Sequence, residues 1–164
     1  ILAGDITSPI ETKNLLKPFK DRHKKVLLIP GNWDSFATID FLANLYDMKN
    51  MHGYYFKQSG VGFFGAGGTT GTDLSEKEVF KILEKGNSAL KDARKKVMIT
   101  HMHASGTKSE FSGFEGSRSI RRAIKNFQPD LFIHSHIHEA EGLEEKIGKT
   151  RGINVGRKGK IIEI

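Results

Sequence analysis

The stretch LFIHSHIH, residues 131–138, decides the fold, because an apolar run typical of a buried strand ends there in a group of histidines. Three other apolar runs end in carboxylate, amide or histidine side chains: ILAGD at 1–5, LIPGNWD at 28–34 and VMITHMH at 97–103. An α/β sheet presents polar side chains to ligands at the ends of its strands. We therefore expect an α/β fold in which these four segments meet at one edge.

The segments between these runs alternate helical and strand patterns. Ser8 as cap, with Pro9 at the first helical position, opens one helical pattern, and Ser75 forms a capping box with Glu78 at the start of another. The patterns predict helices over 9–20, 35–48, 76–91 and 117–127, and strands over 26–29, 54–57, 61–65, 97–100, 131–134, 142–147, 151–155 and 159–164. No repeat or linker divides the chain, so we expect residues 1–164 to form a single domain.

The composition limits the class of protein. The 37% hydrophobic and 27% charged content is typical of a globular protein. No apolar run approaches the roughly 20 residues of a membrane span, and no secretory pattern is visible. The absence of cysteine excludes disulfides, thiolate nucleophiles and cysteine zinc sites. A reducing, cytoplasmic location is the simplest expectation.

The net charge of +7 favours an anionic substrate or partner. The basic residues, however, occur mostly in dispersed pairs without a basic-aromatic motif. Such pairs are typical of a solvated surface. We therefore expect the anionic ligand to be a phosphate-bearing small molecule in preference to a nucleic acid.

The residues at the four strand ends are suited to metal binding. The pairs Gly4-Asp5 and Gly31-Asn32 each place an oxygen ligand after a sharp turn, and five of the seven histidines lie within 101–103 and 134–138. Such a mixed oxygen and nitrogen set suits Mn, Fe, Zn or a similar ion. Each piece also has a structural explanation, as a common turn, a surface histidine patch or a satisfied core histidine.

Taken in order, these residues resemble the calcineurin-like metallophosphoesterase family. Its signature runs Asp-x-His, Gly-Asp, Gly-Asn-His-Asp/Glu, His and Gly-His-x-His, and here Gly4-Asp5, Gly31–Asp34, His101 and Ser135–His138 stand in that order. The resemblance implies a four-layer α/β/β/α sandwich. It also implies hydrolysis of a phosphate ester by a hydroxide that two divalent ions of Mn, Fe, Zn or Ni activate.

The resemblance assigns a role to each matching residue. Asp5 bridges the two metals, Asn32, His101 and His136 join it at the second metal, and His138 belongs to the first. Asp5 and Asn32 are also expected at the reacting phosphate. His103 is a further candidate there, either as a contact of the scissile phosphate or as a replacement for a missing ligand.

Two departures from the signature alter what we expect. The Asp-x-His strand, the first of the fold, would precede Ile1, so the first metal keeps only Asp5 and His138, and the chain binds one ion or two. Trp33 replaces the histidine that assists the leaving group, which costs on the order of 10²–10⁴ in rate and favours phosphodiesters with good leaving groups. Trp33 either stacks on a nucleobase or aryl group or simply packs, and Asp34 is interpreted as a helix cap.

Two classes of function follow. The first is a metallophosphoesterase acting on a phosphate-ester small molecule or a nucleotide, with phosphodiesters preferred. The alternative is a non-catalytic, metal-binding scaffold with the same fold, whose open sheet edge could pair with another chain and produce a homo-oligomer.

Overall fold

The computed structural model describes residues 1–7 and 14–164, which form two sheets and four α-helices. The helices are α1 (Lys17–Asp21), α2 (Phe36–Tyr46), α3 (Glu76–Ser88) and α4 (Arg118–Phe127). The strands are β1 (Leu27–Leu28), β2 (Lys49–Asn50), β3 (Tyr55–Gln58), β4 (Val61–Ala66), β5 (Lys95–Thr100), β6 (Leu131–His134), β7 (Glu144–Ile147) and β8 (Thr150–Asn154). Short 3-10 turns lie at Lys108–Ser112 and His138–Ala140.

The larger sheet has six strands in the order β3-β4-β5-β6-β8-β7. Its four central strands are parallel, whereas β3 and β7 pair antiparallel at the two edges. The smaller sheet pairs β1 with β2 in parallel, and Leu2 extends it through a bridge to Leu28. The parallel strands β5 and β6 therefore deliver the segments that follow them to the same edge.

Three hydrophobic clusters show how the layers stack. Helix α2 packs on the outer face of the small sheet, the two sheets pack face to face, and α3 and α4 cover the far face of the large sheet. The core between the sheets contains Leu27 and Ile29 from the small sheet with Ile99 and Ile133 from the large one. This stacking confirms the predicted α/β/β/α sandwich.

Serine caps explain where three helices begin. The Ser75 side chain accepts from the Glu78 amide while the Glu78 carboxylate accepts from the Ser75 amide, as the capping box predicts. At α2 and α4 the side chains of Ser35 and Ser117 accept from the Thr38 and Ile120 amides without a reciprocal bond. Because a capping box is a local interaction between neighbours in sequence, the Ser75 cap could be predicted correctly, whereas Ser35 and Ser117 were predicted only as the first residues of their helices.

Two predicted elements differ from the structure. Of the helix predicted over 9–20, residues 14–16 are not helical and α1 begins at Lys17, while residues 8–13, with the predicted cap at Ser8, lie outside the described residues. Pro18 has no amide hydrogen, so it cannot donate the bond that a helix running through Asn14 would need. The strand predicted over 159–164 does not form, since β6 and β7 already occupy both edges of β8.

None of the helices in the described part of the chain has the length and apolar character to cross a membrane.

Stability is expected to fall in acid because His134 is buried against Phe132, with ring centroids 4.9 Å apart and no partner for Nδ1. Burial lowers the pKa of His134 to about 3. Since the unfolded imidazole titrates near 6.5, protons favour the unfolded state between about pH 6.5 and 3. We expect this residue to cost up to roughly 5 kcal/mol at the acid end of that window.

Chemical denaturation at a series of pH values tests this expectation. A His134→Leu variant is expected to show a flatter fall in unfolding free energy below pH 6.5. Exposed His23 provides the control, because His23→Asn leaves no buried group changed. An equal slope in His134→Leu and the unchanged protein would contradict the assignment.

Candidate metal centre

The site lies where the segments after β1, β5 and β6 meet the first residues of the chain. His101 directly follows β5, and the Ser135 amide, directly after β6, donates to the His101 carbonyl at 3.0 Å. Leu2 exchanges backbone bonds with the β1 region, which brings Asp5 beside Gly31 and Asn32. Sheet topology therefore collects residues that are more than a hundred positions apart.

Four side chains form what we call the polar cluster: Asp5, Asn32, His101 and His136. Asn32 Oδ1 is 2.9 Å from His101 Nε2 and 3.0 Å from His136 Nδ1, and these two ring nitrogens are 3.1 Å apart. Asp5 Oδ2 is 3.5 Å from His101 Nε2. The structure thus brings together four of the five predicted metal ligands.

A backbone carbonyl fixes the orientation of the buried His101 ring. His101 Nδ1 is 2.8 Å from the Ala3 carbonyl oxygen, which can only accept, so Nδ1 carries the proton of the neutral ring. The Ser135 hydroxyl donates to the same carbonyl at 2.7 Å. The lone pair of His101 is therefore on Nε2, facing the other members of the polar cluster, as in histidines that bind metals.

The donor set of the polar cluster fits a divalent ion. In the tautomer that donates Nδ1–H to Ala3, His101 Nε2 accepts, as do Asn32 Oδ1 and Asp5 Oδ2, and along these contacts a proton can come from His136 Nδ1. A cation would satisfy the remaining lone pairs.

Asn32 is essential to this set. Among residues 1–7 and 14–164, no three His, Asp or Glu side chains could hold a metal ion by themselves. His138, the predicted ligand of the first metal, is exposed at the start of a 3-10 turn and makes no contact with the rest of the polar cluster among the described interactions. Its ligand role stays a prediction.

His136 is held as a neutral imidazole. Burial, together with the neighbouring His101 and His103, lowers the pKa of His136 to about 4. A neutral ring keeps a lone pair for a metal at physiological pH. His136 also has a φ of 62°, a left-handed conformation that its place in the turn after β6 requires.

His103 lies behind the polar cluster instead of in it. Its ring is fully buried and stacks on His136 with centroids 6.4 Å apart. Nε2 donates to the Phe114 carbonyl at 3.2 Å, Nδ1 has no partner, and burial lowers the pKa of His103. The predicted contact of His103 with a phosphate stays a prediction.

Asp34 has a different role from the predicted helix cap. Its carboxylate accepts from the Ile6 amide at 2.9 Å, from the Thr7 amide at 2.8 Å and from the Gly31 amide at 2.8 Å, whereas Ser35 caps α2. Asp34 therefore ties the loop that carries Asp5 to the loop that carries Asn32. The prediction was wrong because the partners at 6 and 7 are distant in sequence.

Replacing Asp34 with alanine is expected to lower the free energy of unfolding by about 2–4 kcal/mol, because several amides lose their acceptor. Thermal or chemical denaturation measures this. The exposed Asp21, which pairs with Lys17 on the surface, provides the control, and Asp21→Ala is expected to cost less than about 1 kcal/mol. Equal losses in the two variants would refute the role given to Asp34.

Asn154 is a positioning residue to which sequence reasoning gave no role. It is fully buried, and its Nδ2 donates to the carbonyls of Ser135 at 3.3 Å and Ile137 at 2.8 Å. It therefore fixes the turn on which His136 lies. The sequence offered one signal for this role, which is an asparagine at the end of a predicted strand, directly before the Val-Gly pair at 155–156.

A cavity of about 910 Å³ runs between the two sheets, and Asp5 is the one member of the polar cluster that lines it. Asp5 and His138 line it together, and most of its wall is apolar, including Leu27, Phe63 and Ile133. The two residues predicted to hold the first metal thus face one space, although they make no direct contact among the described interactions.

The comparisons agree with the fold. A family model described as calcineurin-like phosphoesterase matches residues 1–140. No curated protein matches the chain. Among solved structures, TT1561 of Thermus thermophilus is similar at 18% identity, with a TM-score of 0.66 over 86% of this chain and 67% of that one.

Two further structures support the fold alone. The Thermus thermophilus sulfate thiohydrolase SoxB, solved with glycerol, is 12% identical, with a TM-score of 0.62 over 96% of this chain and 33% of that one. Another structure is 20% identical, with a TM-score of 0.70 over 88% of this chain and 62% of that one. This chain thus spans between a third and two thirds of the length of these proteins.

Proposed function

This chain belongs to the calcineurin-like phosphoesterase family, and from that premise we propose that it is a divalent-metal-dependent phosphoester hydrolase that prefers phosphodiesters. One observation carries the proposal. The buried His101 ring donates Nδ1–H to Ala3, so that its Nε2 lone pair and the oxygens of Asn32 and Asp5 face one another with too few protons between them. Such an arrangement of acceptors is suited to a cation.

Asp5, Asn32, His101 and His136 would hold the ion. When bound, a divalent ion supplies Lewis-acid chemistry, since it polarises a phosphoryl oxygen and lowers the pKa of water. The chain itself orients these ligands. Ala3 and Ser135 fix His101, Asn154 fixes the turn that carries His136, and Asp34 fixes the loops of Asp5 and Asn32.

The preference for phosphodiesters rests on the groups beside the cluster. The indole of Trp33 cannot protonate a leaving group at neutral pH, and the oxygens of Asp34 already accept from backbone amides. His103 is fully buried. Without an acid at this position, leaving groups that depart unprotonated are favoured, and diesters with activated leaving groups provide them.

The alternative is a non-catalytic, metal-binding scaffold. It is favoured by the position of His138, which shares a cavity with Asp5 but stands apart from the polar cluster. A chain that binds one ion would then recognise phosphate without cleaving it. The cytoplasmic location, the possible homo-oligomer and the low expectation of nucleic-acid binding remain predictions from the sequence.

Hydrolysis of bis(p-nitrophenyl) phosphate and p-nitrophenyl phosphate tests the proposal. The protein is stripped with EDTA and then supplied with Mn²⁺, Zn²⁺ or Fe²⁺. We expect hydrolysis that requires added metal and is faster for the diester. Metal binding without hydrolysis of either ester would favour the scaffold, and metal-independent hydrolysis would overturn both.

A further inference from the structure

We propose that Trp33 forms an aromatic subsite at the edge of the polar cluster, which binds a flat ring attached to the phosphate ester. The inference rests on the proposed function, which places the phosphate of the substrate at the polar cluster. It adds the chemical class of the group that is esterified to this phosphate. That group is a nucleobase or an aryl ring, in preference to an alkyl chain or a bare sugar.

Trp33 is the only tryptophan in the chain, and 56% of it is exposed. It belongs to none of the three hydrophobic clusters, and within residues 1–7 and 14–164 no aromatic ring or cation stacks on the indole. Nearby Phe36, by contrast, packs on His52 with ring centroids 4.5 Å apart. Packing within the described chain therefore does not explain this large aromatic side chain.

The backbone places Trp33 directly beside the candidate ligands. Trp33 follows Asn32, and the Trp33 amide donates to Asp5 Oδ1 at 3.2 Å. Successive Cα atoms lie about 3.8 Å apart, so the indole begins one residue from the amide that would hold the ion. A ring joined to a phosphate at the polar cluster would be within reach of this side chain.

The loop that carries Trp33 is held at both ends. Asp34 accepts from the Gly31 amide at 2.8 Å and from Ile6 at 2.9 Å, and Ser35 caps α2 directly afterwards. A side chain presented by a fixed loop loses little conformational entropy when it binds a ligand. Stacking on such an indole is tolerant of ring identity, because every nucleobase and aryl group has a π-face.

The fluorescence of Trp33 provides the test, because no other tryptophan contributes. Mn²⁺-loaded protein is titrated with adenosine 5′-monophosphate, phenyl phosphate and ribose 5-phosphate, which share a phosphate and differ in the attached group. We expect saturable quenching by the first two ligands and weak change with the third. The nucleotide should bind about 5- to 100-fold more tightly than ribose 5-phosphate, and the phenyl arm separates nucleobase from aryl preference.

Calorimetry on variants completes the test. Trp33→Ala is expected to bring the ratio of affinities for the nucleotide and ribose 5-phosphate close to one, while Trp33→Phe keeps most of it. Phe41→Ala removes another exposed aromatic residue, on α2, and is expected to keep the full ratio. Equal affinities in the unchanged protein, or a ratio that survives Trp33→Ala, would overturn the subsite.

Failure of the proposed function would look different. In that case bis(p-nitrophenyl) phosphate stays intact with every metal, while quenching that depends on the ring persists. The subsite would then stand as a binding site, and only the hydrolytic role would be lost.

Discussion

Replacing His136 with asparagine is expected to lower the rate of metal-dependent phosphodiester hydrolysis by more than about 100-fold. Removal of a group that only supports a metal ligand typically costs 10–100-fold, and His136 is itself a candidate ligand, with Nδ1 3.0 Å from Asn32 Oδ1. Asparagine is chosen because it tolerates the left-handed φ of 62° at this position better than alanine does. The backbone should therefore keep its course while the imidazole is lost.

The matched control is His23→Asn. His23 is exposed and also has a left-handed φ, of 51°, but it lies outside the polar cluster. We expect this variant to keep the hydrolysis rate and metal affinity of the unchanged protein. Calorimetric titration with Mn²⁺ should show weakened binding in His136→Asn only, and equal metal affinities in the two variants would remove His136 from the site.

Replacing Gly4 with alanine is expected to lower the free energy of unfolding by about 3 kcal/mol or more, and to impair hydrolysis as well. Gly4 has a φ of 101°, which side-chain-bearing residues rarely adopt. A Cβ at this position would overlap Nδ1 of His101 and would lie 2.7 Å from the Cα of Gly31. Overpacking of this kind costs about 1–3 kcal/mol beyond the backbone strain.

Gly106→Ala separates strain from overlap. Gly106 also has a positive φ, of 66°, but a Cβ there would meet nothing within 4 Å. We expect that variant to lose about 1–2 kcal/mol from strain alone and to keep its hydrolysis rate. Since a misplacement of about 1 Å can cost 100-fold in rate, Gly4→Ala should be the less active protein even at temperatures where both are folded. Indistinguishable variants would mean that Gly4 does not set the position of His101.

The convergence of the polar cluster could be anticipated because it depends on topology more than on side-chain detail. The parallel strands β5 and β6 pair and end at one edge, so the polar residues directly after them come together, whereas the residues after β1 reach this edge from the smaller sheet that packs on the larger one. The helix starts at Ser35, Ser75 and Ser117 were equally accessible, because each cap bonds to a residue three positions on.

The role of Asp34 and the burial of His103 were beyond sequence reasoning. The amides that Asp34 binds belong to residues 6 and 7, which only the folded chain brings near. His103 lies two residues after His101, which reaches the site, but the His103 ring is buried against the Phe114 carbonyl. His103 and His134 each have a buried Nδ1 without a hydrogen-bond partner, and this burial too exists only in the folded chain.

Metal content tests the central claim most directly. The protein is stripped with EDTA, loaded with Mn²⁺, desalted and subjected to elemental analysis beside the His136→Asn variant. The account predicts at least one ion per chain in the unchanged protein and markedly less in the variant. No bound Mn²⁺ above the level of the variant would contradict the claim that Asp5, Asn32, His101 and His136 form a metal site.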